Sequence, residues 1–209
     1  EIGSSDKWAQ FEVIILDKEK YFVIDELIDK KTADLFANYF IVKKNVAQKF
    51  FEKQYVHPEE QVHGRFNDPQ VPGSFSLYGD PLFDTHMLII KPELEKSIGK
   101  KLIEMYTYGR VYAKGNELVK HTDRKSCEIS LTLNLGGDPW PIFADGNSVD
   151  LNPGDCLVYK GCEIEHWREP FQGEVCVQVF YHYNPDTPEN RKNINDNREF
   201  IGLPKSLAN

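Results

Sequence analysis

The chain has 209 residues, 40% hydrophobic, 12% aromatic and 28% charged, a length that fits one domain with a sizeable core and a composition that excludes a disordered chain. Its 25 basic and 33 acidic residues leave a net charge of −8, with no sustained basic stripe, which argues against nucleic acid as a partner. No apolar run reaches the roughly 18 residues of a membrane span, and the opening EIGSSDKW lacks the apolar stretch of a signal peptide.

Taken in chain order, the first third reads helical. Leu27, Ile28, Leu35, Phe36, Tyr39, Phe40, Val46, Phe50 and Phe51 recur at helical intervals, with Asp29 or Thr32 as N-cap. From His57 to Pro81, Pro, Gly, Asn and Asp dominate around isolated aromatics, which predicts an irregular surface segment of the kind that borders binding sites. A second helical stretch runs from about Phe83 to Met105, with a break expected at Lys91-Pro92 because the residue before proline disfavours helix.

After Tyr106 the pattern turns to short strands: Tyr108 to Ala113, Glu128 to Leu135, Trp140 to Ala144, Ser148 to Leu151, Asp155 to Tyr159 and Glu174 to Tyr183. Gly136-Gly137-Asp138-Pro139, Asp145-Gly146-Asn147 and Asn152-Pro153-Gly154-Asp155 separate several of them, as tight antiparallel turns require. This spacing predicts a β-sandwich or barrel. The polar stretch from Asp186 to Asn209 reads as a wrapping or mobile terminus. Cys127, Cys156, Cys162 and Cys176 lie in or beside apolar stretches without zinc-type pairing, so they read as reduced thiols in a cytoplasmic protein.

His121-Thr122-Asp123 places two ligand-type side chains at i and i+2, on one face of an extended backbone. His166 stands beyond the Asp155 to Tyr159 strand as a third candidate ligand. Two histidines and a carboxylate with open positions form the donor set of non-haem iron(II) oxygenases. A His-x-Asp triplet arises by chance about 0.4 times in a chain of this composition. Taken singly, it therefore also reads as a surface pair, and His166 as a core histidine.

The surrounding order adds to the triplet. Tyr112-Ala113-Lys114-Gly115 precedes it, the Cys127 to Leu135 strand follows, and then come the Leu151-Asn152-Pro153-Gly154-Asp155 turn, Glu165-His166-Trp167-Arg168, Gly173 and the closing Phe180-Tyr181-His182-Tyr183. In this order the chain resembles the prolyl 4-hydroxylase branch of the 2-oxoglutarate/iron(II)-dependent dioxygenases over residues 106–184. The resemblance implies a mainly β fold with N-terminal helices, a double-stranded β-helix (jelly roll, cupin-like). It implies one oxygenase domain over 1–209, with 1–105 as helical and loop support, 106–184 as the metal-binding core and 185–209 as a tail. It further implies Fe(II) held by His121, Asp123 and His166, with 2-oxoglutarate and O2 as co-substrates and ascorbate as an optional reductant. The implied reaction hydroxylates an unactivated carbon of a peptide or small-molecule substrate, a prolyl or other peptidyl residue foremost, and releases succinate and carbon dioxide. Phe143, Trp167 and Phe180 are the expected dry surround.

One family feature is missing. The base that usually anchors the distal carboxylate of 2-oxoglutarate, eight to ten residues past the distal histidine, falls here on Glu174-Val175-Cys176. Arg168, Arg124 and Lys125 are the substitute candidates, with Arg168 preferred because its planar fork suits a carboxylate and it shares a strand face with His166. Tyr112, Thr132 and Gln178, the last two inward by alternation, complete the candidate co-substrate contacts. Glu174 favours a second reading, a cupin-like metal-dependent small-molecule enzyme or binding module without 2-oxoglutarate; a third is an interaction domain without metal. His57, His63 and His86 read as surface or packing histidines, and His182 as a pocket or core histidine. Phe66, Phe75 and Tyr78 read equally as a lid or as core.

Overall fold

The computed structural model describes residues 16, 18–57, 60–66 and 68–207; the opening EIGSSDKW, read above for a signal peptide, lies outside them. Two helices carry the N-terminal part. Helix α1, Lys30–Glu52, starts where the Asp29 carboxylate accepts the Thr32 amide at 2.8 Å, which satisfies one orphan donor of the first turn. It buries Ala33, Phe36, Phe40 and Ala47, positions three, four and seven apart and therefore on one stripe. Leu35 and Val46, read above as part of the apolar pattern, lie on the outer face, and Leu27 and Ile28 precede the helix.

Helix α2, Pro81–Ile98, is capped by Asp80, begins with proline in its first turn and ends on Gly99 at φ 67°. That left-handed residue stops the helix before Met105, so the predicted extent was too long. The break expected at Lys91-Pro92 does not occur. Pro92 lies on the exposed side, next to the exposed Leu88 whose carbonyl loses its helical partner, while Met87, Ile90, Leu94 and Ile98 remain buried on the other. Among the described residues no helix is long and apolar enough to cross a membrane.

The strands, in chain order, are β1 (Tyr21–Ile24), β2 (Phe75–Tyr78), β3 (Leu102–Ala113), β4 (Leu118–His121), β5 (Ile129–Gly137), β6 (Ile142–Ala144), β7 (Asn147–Val149), β8 (Cys156–Tyr159), β9 (His166–Arg168) and β10 (Val175–Pro185). They form two antiparallel sheets, β1-β8-β5-β10-β3-β2 and β4-β9-β6-β7, the two-sheet jelly roll expected for this chain. Strand β2 falls in the segment read as irregular and pairs with β3 along Phe75↔Val111 to Tyr78↔Tyr108. Phe75 is core, packed between Phe40 and Phe66, so the aromatic segment belongs to the sheet and its packing.

Alternation along the long strands separates two environments. Ile129, Leu131, Leu133 and Leu135 of β5 and Val177, Val179, Tyr181 and Tyr183 of β10 belong to the core beneath the helices. Tyr183 Oη donates to the Met87 carbonyl at 2.6 Å, and His86 Nδ1 lies 2.8 Å from Tyr181 Oη. The opposite parity, including Thr132, Phe180 and His182, faces a cavity between the sheets.

The terminal segment wraps the fold. Arg198 is fully buried, and its Nη1 meets Asp84 Oδ2 at 3.0 Å. Asn195, Asp196 and Asn197 all take left-handed φ, 57°, 56° and 65°, a conformation that Asn and Asp tolerate better than other side chains bearing a Cβ. All four cysteines are free thiols.

Candidate metal centre and cavity

His121 closes β4 and His166 opens β9, and the two are paired across the small sheet. Their rings lie 4.3 Å apart between centroids. Asp123 follows β4, held by its amide donating to the Gly161 carbonyl at 2.7 Å. Its Oδ1 lies 3.7 Å from His121 Nε2 and 3.4 Å from His166 Nε2. The three side chains thus form a group whose ligand atoms all lie within 4.8 Å of one another.

Both histidines are oriented by backbone. His121 Nδ1 meets the Val119 carbonyl at 2.8 Å, and His166 Nδ1 meets the Ile164 carbonyl at 3.2 Å. A carbonyl only accepts, so each Nδ1 carries the proton and each Nε2 presents its lone pair to the shared point. Burial raises the Asp123 pKa, but contact with His166, the proximity of His182 and the Ser130 hydroxyl outweigh it and hold the carboxyl at about 2. Burial, then the neighbouring His166, pull the His121 pKa down. The Asp123 carboxylate is therefore ionised at neutral pH, and the shift of His121 favours the neutral imidazole that metal ligation requires. Bonds of 2.0–2.2 Å put adjacent ligand atoms about 3 Å apart, so a small contraction closes this set on a divalent ion.

The cavity beside these atoms encloses about 400 Å³. Tyr106, Tyr108, Arg110, Thr132, Tyr159, Phe180 and His182 of the large sheet line it, with Leu118, Ile142 and the ligands from the small-sheet side. Arg110 is buried, ion-paired to Asp68 at 2.9 Å, and bonded to Gln70. The Gln70 amide nitrogen in turn lies 3.1 Å from His121 Nε2, so the loop before β2 reaches the centre. Thr132, Phe180 and His182 were singled out in the sequence, but Tyr106, Tyr108 and Arg110 were not. Their signal is parity, since Tyr106, Tyr108, Arg110 and Tyr112 alternate along β3.

The co-substrate candidates separate. Thr132 lines the cavity, 3.4 Å from the Tyr159 hydroxyl. Arg168 lies on β9 two residues past His166 and is 2% exposed. It donates to the Trp140 carbonyl, and through Nη2 to Gln178 Oε1 at 3.3 Å. Its Nε has no partner, and neither does the buried Tyr112 hydroxyl, although that oxygen sits in the field of the Arg110 guanidinium. Burial draws the Arg168 pKa below its usual value. Arg124 is engaged elsewhere: Asp196 accepts from both its terminal nitrogens, at 2.9 and 2.8 Å, and its guanidinium lies over Tyr106 in the cavity wall. Asp196 also accepts from Tyr78 and Lys205. Lys125 does not line this cavity but a separate surface depression.

Phe180 faces the cavity, whereas Phe143 and Trp167 stack on each other at 5.0 Å on the other face of the small sheet. Their parity is opposite to that of Ala144 and His166, which corrects their assignment to the dry surround. The Glu174 side chain is 80% exposed and paired with Lys114, so it does not face the cavity. His63 packs on Phe50 and His86 in the core; His182 is buried and lines the cavity.

No family model and no curated protein matches this chain. Solved structures do match in fold. A Pseudomonas putida prolyl-4-hydroxylase aligns at 14% identity and a TM-score of 0.55, over 84% of this chain and 97% of that one. A viral collagen prolyl hydroxylase from Paramecium Bursaria Chlorella virus-1, in complex with 2OG, aligns at 13% and 0.57, over 81% and 98%. HygX from Streptomyces hygroscopicus, with nickel, 2-oxoglutarate and hygromycin B bound, aligns at 14% and 0.58, over 82% and 85%. The chain therefore has the jelly-roll fold of prolyl-4-hydroxylase and other 2-oxoglutarate/iron(II) oxygenases.

Proposed function

We propose that this chain is an iron(II)- and 2-oxoglutarate-dependent dioxygenase, a single domain over residues 1–209, that hydroxylates an unactivated carbon. The convergence of His121 Nε2, Asp123 Oδ1 and His166 Nε2 on one point at the cavity carries this reading. Two neutral imidazoles and one carboxylate suit iron(II), and donors gathered on one side leave coordination positions for a co-substrate and oxygen. With 2-oxoglutarate and O2, bound iron supplies an oxidant for a C–H bond as succinate and carbon dioxide leave.

The chain's own groups fit 2-oxoglutarate. Arg168 is a buried guanidinium without a carboxylate partner among the described residues, and its Nε is unpaired. A buried charge in that condition calls for an anion, and the distal carboxylate of 2-oxoglutarate is one. Gln178 steadies the guanidinium, the unpaired Tyr112 hydroxyl offers another donor, and Thr132 with Tyr159 gives the cavity wall hydroxyl contacts. Leu118, Ile142 and Phe180 give the cavity an apolar wall, while Arg168, Gln178 and Tyr112 are not among the residues that line it.

A prolyl or other peptidyl residue is the substrate class nearest the prolyl hydroxylases of the same fold, with a small molecule as the other class. Nucleic acid and membrane are not partners in this reading, and the free thiols support a cytoplasmic setting. Glu174, which favoured a cupin-like enzyme or module without 2-oxoglutarate, points to solvent and lends that reading no support.

The test is succinate formation from 2-oxoglutarate under air with added iron(II), beside His166→Ala. The intact chain should turn over 2-oxoglutarate and the variant should not. No turnover and no 2-oxoglutarate binding by the intact chain would sink the proposal.

A further inference from the structure

The two oxygens of Asp123 face different neighbours. Oδ1 faces the histidine nitrogens, while Oδ2 accepts a hydrogen bond from Ser130 Oγ at 2.7 Å. Ser130 is fully buried on β5 and stands directly opposite His182 of β10 in the sheet register. Its Oγ lies 3.0 Å from His182 Nδ1.

Proton counting orders these contacts. A hydroxyl has one proton, and an ionised carboxylate can only accept. The Ser130 proton therefore goes to Asp123, and Ser130 accepts from His182, which must carry its proton on Nδ1. The Cys127 carbonyl at 3.2 Å from Ser130 Oγ is the competing acceptor; the shorter contact and the charge favour Asp123. Space at this point is kept by Gly161, where a Cβ would lie 2.4 Å from Asp123 Oδ2 and 2.6 Å from Ser130 Oγ.

We propose that Ser130, backed by His182, is a positioning residue that engages Asp123 Oδ2 so that only Oδ1 is presented to the metal. This rests on the reading of His121, Asp123 and His166 as ligands. A carboxylate with both oxygens free can rotate and chelate through both, occupying a position that the co-substrate or oxygen needs. Neighbouring strands hold Ser130 and His182 in register, so the constraint is built into the large sheet while the histidine ligands come from the small one.

The experiment is anaerobic cobalt(II) titration of the full chain, read by calorimetry and by the visible ligand-field bands, for the wild type, Ser130→Ala, Ser130→Thr, His182→Phe, His182→Gln and His166→Ala. Ser130→Ala should weaken cobalt binding roughly 10- to 100-fold, the usual effect of losing an outer-sphere partner, and alter the bands. Ser130→Thr keeps the hydroxyl and should restore both. His182→Phe should weaken binding less than Ser130→Ala, with partial recovery in His182→Gln. Should Ser130→Ala fail to fold, as judged by circular dichroism, the His182 pair makes the same comparison. Wild-type affinity and bands in Ser130→Ala and His182→Phe, with binding lost in His166→Ala, overturn the proposal and leave the ligand reading standing. No cobalt binding by the wild type overturns both.

Discussion

Arg168 and Gln178 meet across the two sheets, Nη2 donating to Oε1 at 3.3 Å, and no carboxylate closes on that guanidinium among the described residues. The other buried arginines differ: Arg110 has Asp68 and Arg198 has Asp84. Arg168→Ala should therefore weaken 2-oxoglutarate binding to the cobalt-loaded protein by roughly 2–5 kcal/mol, as when one partner of a buried charge pair is removed, with little change in cobalt affinity. Arg168→Lys should recover only part, because an ammonium lacks the bidentate fork. Calorimetric titration measures both, and unchanged 2-oxoglutarate affinity in Arg168→Ala would remove it as the anchor.

Gly161→Ala places a methyl group 2.4 Å from both Asp123 Oδ2 and the Cys127 carbonyl. Such crowding costs about 1–3 kcal/mol of stability, and Asp123 must shift to relieve it. The expected outcome is a modest drop in the unfolding midpoint with a loss of cobalt affinity out of proportion to it. Equal affinity in the variant and the wild type would show that the carboxylate accommodates the methyl group.

Burial lowers the His86 pKa to about 4, against roughly 6.5 in the unfolded chain. The unfolded state therefore takes up the proton first as the pH falls. The stability contributed by neutral His86 is complete above pH 6.5 and is lost as the pH drops toward 4, by up to about 3 kcal/mol. Urea unfolding of the wild type and His86→Gln across that window tests the sign: the wild type should lose more stability than the variant, and parallel curves would contradict the assignment.

Asp84 and Arg198 form an ion pair with both side chains fully buried. Arg198→Ala leaves the Asp84 carboxylate with Thr107 and the Gly202 amide but no cation, and should cost about 3–5 kcal/mol. Replacing both residues with apolar ones of similar volume should cost less. Denaturant midpoints of the single and double variants decide it, and a single variant as stable as the wild type would deny the pair its role.

The sequence made the strand-rich half legible because its strands are long or bounded by Gly and Pro turns, and β5 and β10 alternate between core and cavity residues. The ligand triplet was legible for the same reason, since i and i+2 share a face. Strands β1, β2, β4 and β9 have three or four residues each, too few for periodicity to register; they exist because a longer or paired neighbour offers an edge. The course of α2 past Pro92 depends on where that residue faces, which is a tertiary property. Arg110 and Gln70 escaped notice because their place beside the centre is set by pairing Asp68 with Arg110 across 42 positions of chain.

Asp196 joins Arg124, Tyr78 and Lys205 through one carboxylate held in a left-handed turn. Arg124 rests on Tyr106, and Tyr106 is cavity wall. The segment after β10 is thus less an appendage than the last stave of the vessel. Cutting the chain short of Asp196 would release Arg124 from its place in the cavity wall, and a deletion designed as a harmless trim would read out as a change in what the cavity admits.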